Sequence, residues 1–240
     1  MSVAERDDAI RAARMDAASQ AARVLAHEIA NHLGTMRTML YLLGDELGPD
    51  PRAAEDLRAV ARTVDGATQL VEALRGFAHA PLLGAGPADL NAALRGSEAA
   101  LRTLMAPGTT LTLDLAHDPL VVAADTPRLA ALALDLVGAL SGALPVGGRV
   151  AVSTGRGRIE GGAPAALLAV RDDGPGLEPD RAARLFEPFV FEVAHDVGLR
   201  LPTLYNTVIR SGGAVTAESA PGAGTCIRIT LPLAAGAQAR

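Results

Sequence analysis

From residue 4 to about residue 47 no proline or strong breaker interrupts the chain. Apolar residues recur there at Leu25, Ile29, Leu33, Met36, Leu40, Leu43 and Leu47, three or four apart throughout. That is the spacing of a coiled-coil seam on one long helix. Ser2 and Glu5, three apart, read as a capping box at its start. Gly44 to Pro51 ends the pattern, and Asp50 before Pro51 is an N-cap with proline at the first helical position. A second apolar stripe follows at Leu57, Val60, Val64, Val71, Leu74 and Phe77. The spacing predicts a helical hairpin over 1–80. Two helices are too thin to bury both stripes, whereas two copies side by side make a four-helix bundle, so a homodimer is expected.

The stretch Pro81–Pro87, PLLGAGP, reads as a linker over 81–88. Beyond it the pattern changes. Helices are expected near 89–105, 126–143 and 199–211, and strands near 109–116, 119–124, 149–156, 165–171, 213–219 and 224–231. Strands with helices on one face predict a two-layer α/β sandwich over 89–234, an α+β chain overall, and a frayed tail over 235–240.

Composition narrows the chemistry. All 22 basic residues are arginine, which excludes a P-loop lysine and Schiff-base catalysis. A formal charge of -5 offers no footprint for a nucleic-acid backbone. With no Trp, two Tyr and four Phe, aliphatic side chains must fill the interior, and the single Cys226 reads as a small buried hydrophobe. The charged start and the absence of a run of ~18 apolar residues predict a cytoplasmic protein without a membrane partner.

His27 lies two residues from both Leu25 and Ile29, so at about 100° per residue it points away from the seam into solvent. Asn31 shares its face one turn later, and Glu28 follows it directly, giving H-E-x-x-N. A neutral imidazole is a nucleophile at cytoplasmic pH, and an adjacent carboxylate can orient it and take up its proton. His27 and His32, five apart, point roughly 140° away from each other, so no metal site is expected. His79, His117 and His195 read as ordinary surface or loop residues.

In the second part RDDGPGLEP follows an expected strand. Glycines such as Gly174 and Gly176 let backbone approach a flat ligand, and the Asp172 carboxylate can accept a hydrogen bond from an exocyclic amine such as that of adenine. LFEPF follows at Leu185 to Phe189, and SGGAVTAESAPGAGTCIRITLPL closes the pattern. Together with H-E-x-x-N, and in that order, these segments resemble the H-box, G1 box, F box and terminal strand pair of bacterial two-component histidine kinases. The match runs from about residue 20 to 233. The resemblance implies a dimeric hairpin followed by a GHKL-type ATPase domain. It makes His27 the phosphoacceptor with Glu28 and Asn31 beside it, and assigns a remnant nucleotide site to Asp172, Gly174, Gly176, Phe186 and Gly198. It also implies response-regulator receiver domains as partners, docking over Thr35, Thr38 and Leu42.

The sequence departs from that family at the nucleotide site. The family's Asn-x-x-x-Asn, whose second Asn holds magnesium, is Asp135 and Ala139 here, and Ser141 and Gly142 stand where a basic residue usually follows. Its second glycine motif has become Gly198-Leu199-Arg200-Leu201-Pro202, and only Val190 to Val197 remain as a lid. Asp135 for magnesium and Arg200 for phosphate are the remaining candidates for residual Mg-ATP binding, and no cofactor is expected to be required. The expected function is therefore a histidine phosphotransferase that carries a phosphoryl group on His27 between receiver aspartates, and the lack of a sensor segment ahead of His27 fits such a relay. The alternatives are an ATP-dependent histidine autokinase and a non-enzymatic dimeric scaffold that binds receivers.

Overall fold

The computed structural model describes the backbone of residues 3–47, 50–159, 162–190 and 198–234, and side chains over those ranges from residue 17 onward. Ser2 of the expected capping box, the lid segment 191–197 with His195, and the tail 235–240 lie outside the described residues. Two compact units divide after His79.

The first unit is the hairpin, α1 (Val3–Glu46) and α2 (Pro51–His79). The 44-residue α1 is roughly 66 Å long. Asp50 caps α2 as its type suggests, its Oδ1 accepting the Arg52 amide at 3.0 Å.

The expected seam on α1 is split. Ala22, Ala26 and Leu33 are buried, and Ala26, Ala30, Leu33 and Leu40 pack against Val64, Ala67, Val71 and Leu74 of α2. Leu25, Ile29, Met36, Leu43 and Leu47 stay 41–52% exposed. A pairing through alanines lets two helices approach closely and uses only one edge of the stripe. The large aliphatics that dominate the sequence pattern form a second edge beside it.

The second unit carries β1 (Pro87–Asp89), α3 (Leu90–Thr103), β2 (Thr110–Asp114), β3 (Val121–Ala123), α4 (Thr126–Ser141), β4 (Arg149–Arg158) and β5 (Pro164–Asp172). It continues with α5 (Pro179–Ala183), α6 (Arg200–Arg210), β6 (Ala214–Ala220) and β7 (Gly224–Pro232). A five-stranded sheet runs β2-β4-β5-β7-β6, antiparallel except for the β2–β4 pair. That pair is parallel because the chain crosses over through β3 and α4.

Leu168 and Val170 of β5 register with Ile229 and Ile227 of β7, and Val170 with Val152 of β4. All are fully buried, as are Leu94 and Leu101 of α3, Leu129 and Leu136 of α4, and Val208 of α6. Helices on one sheet face give the expected two-layer sandwich. The side-chain period of two then places Asp172, four residues beyond Leu168, on that same inner face at the strand's end.

Two short elements escaped the sequence pattern, β1 and α5. Residues 81–88, expected as a linker, are tied to the second unit. β1 pairs antiparallel with β3, the Leu83 carbonyl accepts the Asp125 amide at 2.7 Å, and the Leu83 amide donates to Ser211 Oγ at 3.0 Å. Among the described residues no helix is long and apolar enough to cross a membrane.

Candidate functional site

Two places gather the chemistry that the sequence points to, one in each unit. On α1, His27 is exposed, and the Asn31 carboxamide nitrogen stands 3.5 Å from its Nε2. This is the long limit of a hydrogen bond. The expected partner Glu28 makes no hydrogen bond to the ring among the described residues, because side chains on successive helical residues diverge by about 100° while those four apart meet. Further along the face, the hydroxyls of Thr35 and Thr38 each donate to a carbonyl one turn back, Asn31 and Gly34, at 3.1 Å. Leu42 is 54% exposed.

In the second unit a cavity of about 400 Å³ opens between α4, the loop after β5, and the start of α6. Asp172 lines it, 6% exposed. The amides of Gly174 and Thr225 donate to its Oδ1 at 2.8 and 3.2 Å. Burial is the dominant influence on this carboxyl and holds its pKa above the ordinary value. The two amide donors and the Arg171 charge pull the other way, and the Asp173 charge adds to the rise.

The glycines serve this carboxylate and its strand. A Cβ on Gly174 would stand 2.8 Å from Asp172 Oδ1. Gly176, at φ 68°, faces the Ala220 carbonyl so closely that no side chain fits, and Gly224, at φ 73°, faces the Asp172 carbonyl in the same way. Gly176 and Gly198 line the cavity, but Gly174 and Phe186 do not. The Phe186 ring packs on Tyr205 with centroids 5.3 Å apart, and the F-box residue that reaches the cavity is Leu185.

Ala139 lines the cavity and offers no oxygen to a metal. Asp135, one turn earlier on α4, lines a different depression beside Thr203 and Thr207, so the carboxylate expected from its sequence position to hold magnesium does not reach this site in place of Ala139. Asp172 is the one acid among the described lining residues, and no group of three His, Cys, Asp or Glu side chains gathers among the described residues. Magnesium on a nucleotide takes one or two protein oxygens beside phosphate and water, and the α4 position expected to supply one is Ala139. Two guanidinium side chains, Arg181 and Arg200, line the cavity instead. A terminal nitrogen of Arg200 lies directly over Gly138, where a Cβ would collide with it.

The family described as Histidine kinase-, DNA gyrase B-, and HSP90-like ATPase matches residues 124–235. The C4-dicarboxylate transport sensor protein DctB of Rhizobium meliloti is 29% identical over 95% of this chain and 37% of its own length. The sensor kinase CckA of Brucella abortus is 28% identical over 91% of this chain and 24% of its own length. Among solved structures, full-length ShkA in complex with AMPPNP shares the fold at a TM-score of 0.65 and 24% identity, over 90% of this chain and 46% of its own. The chain thus spans less than half the length of each. These relatives are sensor proteins and kinases, a set that backs the autokinase alternative better than the relay.

Proposed function

Since this chain is a two-component histidine-kinase core, a helical hairpin followed by a GHKL ATPase-like domain, we propose that it carries a phosphoryl group on His27 between receiver domains and does not draw it from ATP. The observation that carries this reading is the cavity's lining, with Ala139 where a metal ligand would stand and Arg200 over Gly138. Phosphoryl transfer from ATP depends on a positioned metal and backbone cradle, and neither is supported by these residues. Transfer from an aspartyl phosphate asks less of the acceptor. Nε2 of His27 attacks phosphorus, the bond from phosphorus to the carboxylate oxygen breaks, and the aspartate leaves with the electron pair. Asn31, with its carboxamide nitrogen 3.5 Å from Nε2, is placed to orient the ring.

The protein works in this proposal as a cytoplasmic homodimer, the exposed stripe from Leu25 to Leu47 on α1 closing a four-helix bundle with a second copy. A second reading, the ATP-dependent autokinase, has the relatives' identities in its favour, together with the retained Asp172 and Gly176 in the cavity. Incubation of the full chain with labelled Mg-ATP, and in parallel with a phosphorylated receiver, separates the two. Acid-labile label on His27 from the receiver alone is the expected result. Label from ATP at a comparable rate overturns the relay.

A further inference from the structure

α2 ends at His79, and the chain is fastened to the second unit from the next residue on. Nη1 of Arg210, the last residue of α6, donates to the Ala80 carbonyl at 2.6 Å. Ser211 caps the same helix end. Its hydroxyl donates to the Thr207 carbonyl at 2.8 Å, which leaves its oxygen to accept the Leu83 amide at 3.0 Å. Beyond Leu83 the grip passes to the residues before α4. There the Asp125 and Ala124 amides donate to the carbonyls of Leu83 and Gly86, both at 2.7 Å. Residues 80–86 are thus a strap laid from the end of α6 to the start of α4.

The two ends of this strap are held differently. The far end is bonded backbone to backbone, and Gly84, at φ 106°, packs so closely on the Asp125 carboxyl that no side chain fits there. The end next to α2 depends on two side chains, Arg210 and Ser211. Between the grips the fit is loose. Pro81, Leu82 and Leu83 line a depression of about 100 Å³ between α4 and α6, space that a close-packed segment would fill. Leu83 is buried, whereas Leu82 is 50% exposed.

We propose that Arg210 and Ser211 form a releasable clamp that sets how much free chain joins the hairpin to the second unit. Clamped, the tether is the peptide bond from His79 to Ala80. Released, residues 80–82 become free chain as far as the Asp125 grip, roughly 10 Å when extended. Slack of that length lets one folded unit turn about its tether to the other. The clamp works in this way whether His27 takes its phosphoryl group from a receiver or from ATP.

Three readouts on the full chain test it. Limited thermolysin digestion, which cuts before leucines, reads access to the bonds preceding Leu82 and Leu83. Exchange of the Leu83 amide reads the Ser211 grip, and nitrogen-15 relaxation of the β5 amides reads the tumbling of the second unit. Arg210→Ala combined with Ser211→Ala should raise both cleavage and Leu83 exchange by at least about tenfold. The β5 amides should keep their protection while their relaxation shows more independent tumbling. Ser211→Ala alone, the milder change, should fall between the parent and the double variant, and Arg210→Lys, which keeps a donor for the Ala80 carbonyl, should stay near the parent. Parental cleavage and exchange in the double variant would show that these side chains do not hold the strap. Loss of β5 protection together with the strap, or a freed strap with unchanged relaxation, overturns the clamp equally.

Discussion

Asn31 Nδ2 stands 3.5 Å from Nε2 of His27, one helical turn along the exposed face of α1. A carboxamide nitrogen can only donate, so a hydrogen bond across this contact requires the tautomer with its proton on Nδ1. Asn31 orients the ring through the Nε2 lone pair and must release it as phosphorus arrives. Asn31→Asp removes the donor and sets a negative charge beside the incoming phosphoryl group. We expect it to slow transfer from a phosphorylated receiver by about tenfold or more, roughly 1.4 kcal/mol on the barrier, with helicity unchanged. Single-turnover transfer, read as acid-labile phosphate on His27, measures this, and an unchanged rate would remove Asn31 from the mechanism. Glu28→Gln should have the smaller effect, since its carboxylate makes no hydrogen bond to the ring among the described residues.

The two edges of the α1 stripe make opposite predictions. Leu33 is 8% exposed, inside the hairpin, whereas Leu43 is 45% exposed on the free edge. Leu33→Asp buries an unpaired charge and should cost several kcal/mol, seen as lost helicity. Leu43→Asp should leave the hairpin helical and shift the sedimenting species from dimer to monomer. A Leu43→Asp protein that still sediments as a dimer would place the second copy elsewhere.

The α+β layering was legible because its signals are local and strong. Proline at the start of α2, a strand ending at Asp172, and a closing strand pair all have fixed spacing rules. β1 was not, because three residues between Gly86 and the start of α3 carry no period, and only their pairing with β3 makes them a strand. Which part of the seam lies inside the hairpin was not legible either, for a different reason. Ala22, Ala26 and Ala30 are small, so a pattern weighted toward large aliphatics passes over the residues that let two helices touch. At the cavity, sequence order identified Asp172 but could not separate Leu185 from Phe186, neighbours of which one lines the space and the other packs on Tyr205. Nor could it show that Asp135 lines a depression with Thr203 and Thr207 and not Ala139's cavity.

Asp172 gives the fold a pH signature. Its carboxyl is held above the ordinary value, chiefly by burial, so the folded chain binds its proton more tightly than the unfolded chain. Where the folded state holds more protons, stability falls as pH rises, and the full penalty is present once the folded carboxyl is ionised. Asp172→Asn keeps an oxygen for the Gly174 and Thr225 amides and never ionises. It should therefore melt higher than the parent at neutral pH, with the gain shrinking as pH falls toward the ordinary aspartate value of 3.8. Melting curves at neutral and acid pH decide it. A variant less stable than the parent at neutral pH would mean that the charge is stabilised by more than its two amides.

At about 100° per residue, Asn31, Thr35, Thr38 and Leu42 all fall within roughly 80° of His27 on the surface of α1. The hydroxyls of Thr35 and Thr38 are committed to their own helix, which leaves small, largely apolar ground between His27 and Leu42. A receiver that brings its aspartate to the imidazole must lie over this ground, and Leu42, 54% exposed, is the large apolar side chain at its far end. One exposed leucine is ordinary on any surface, and its position relative to His27 is what gives it weight. Leu42→Asp should weaken receiver binding at least tenfold, about 1.4 kcal/mol, and leave the dimer intact because it lies away from the Leu43 edge. Thr38→Val preserves the shape and loses only a hydroxyl already spent on the Gly34 carbonyl, so it should change binding by less than about 0.5 kcal/mol. His27→Ala should abolish phosphate transfer and leave binding nearly unchanged, and a scaffold with no phosphoacceptor would show no labelled protein to lose. Titration of each variant with a receiver domain, alongside phosphate transfer, provides both readouts. If Leu42→Asp binds and transfers as the parent does, the receiver docks on another face of α1.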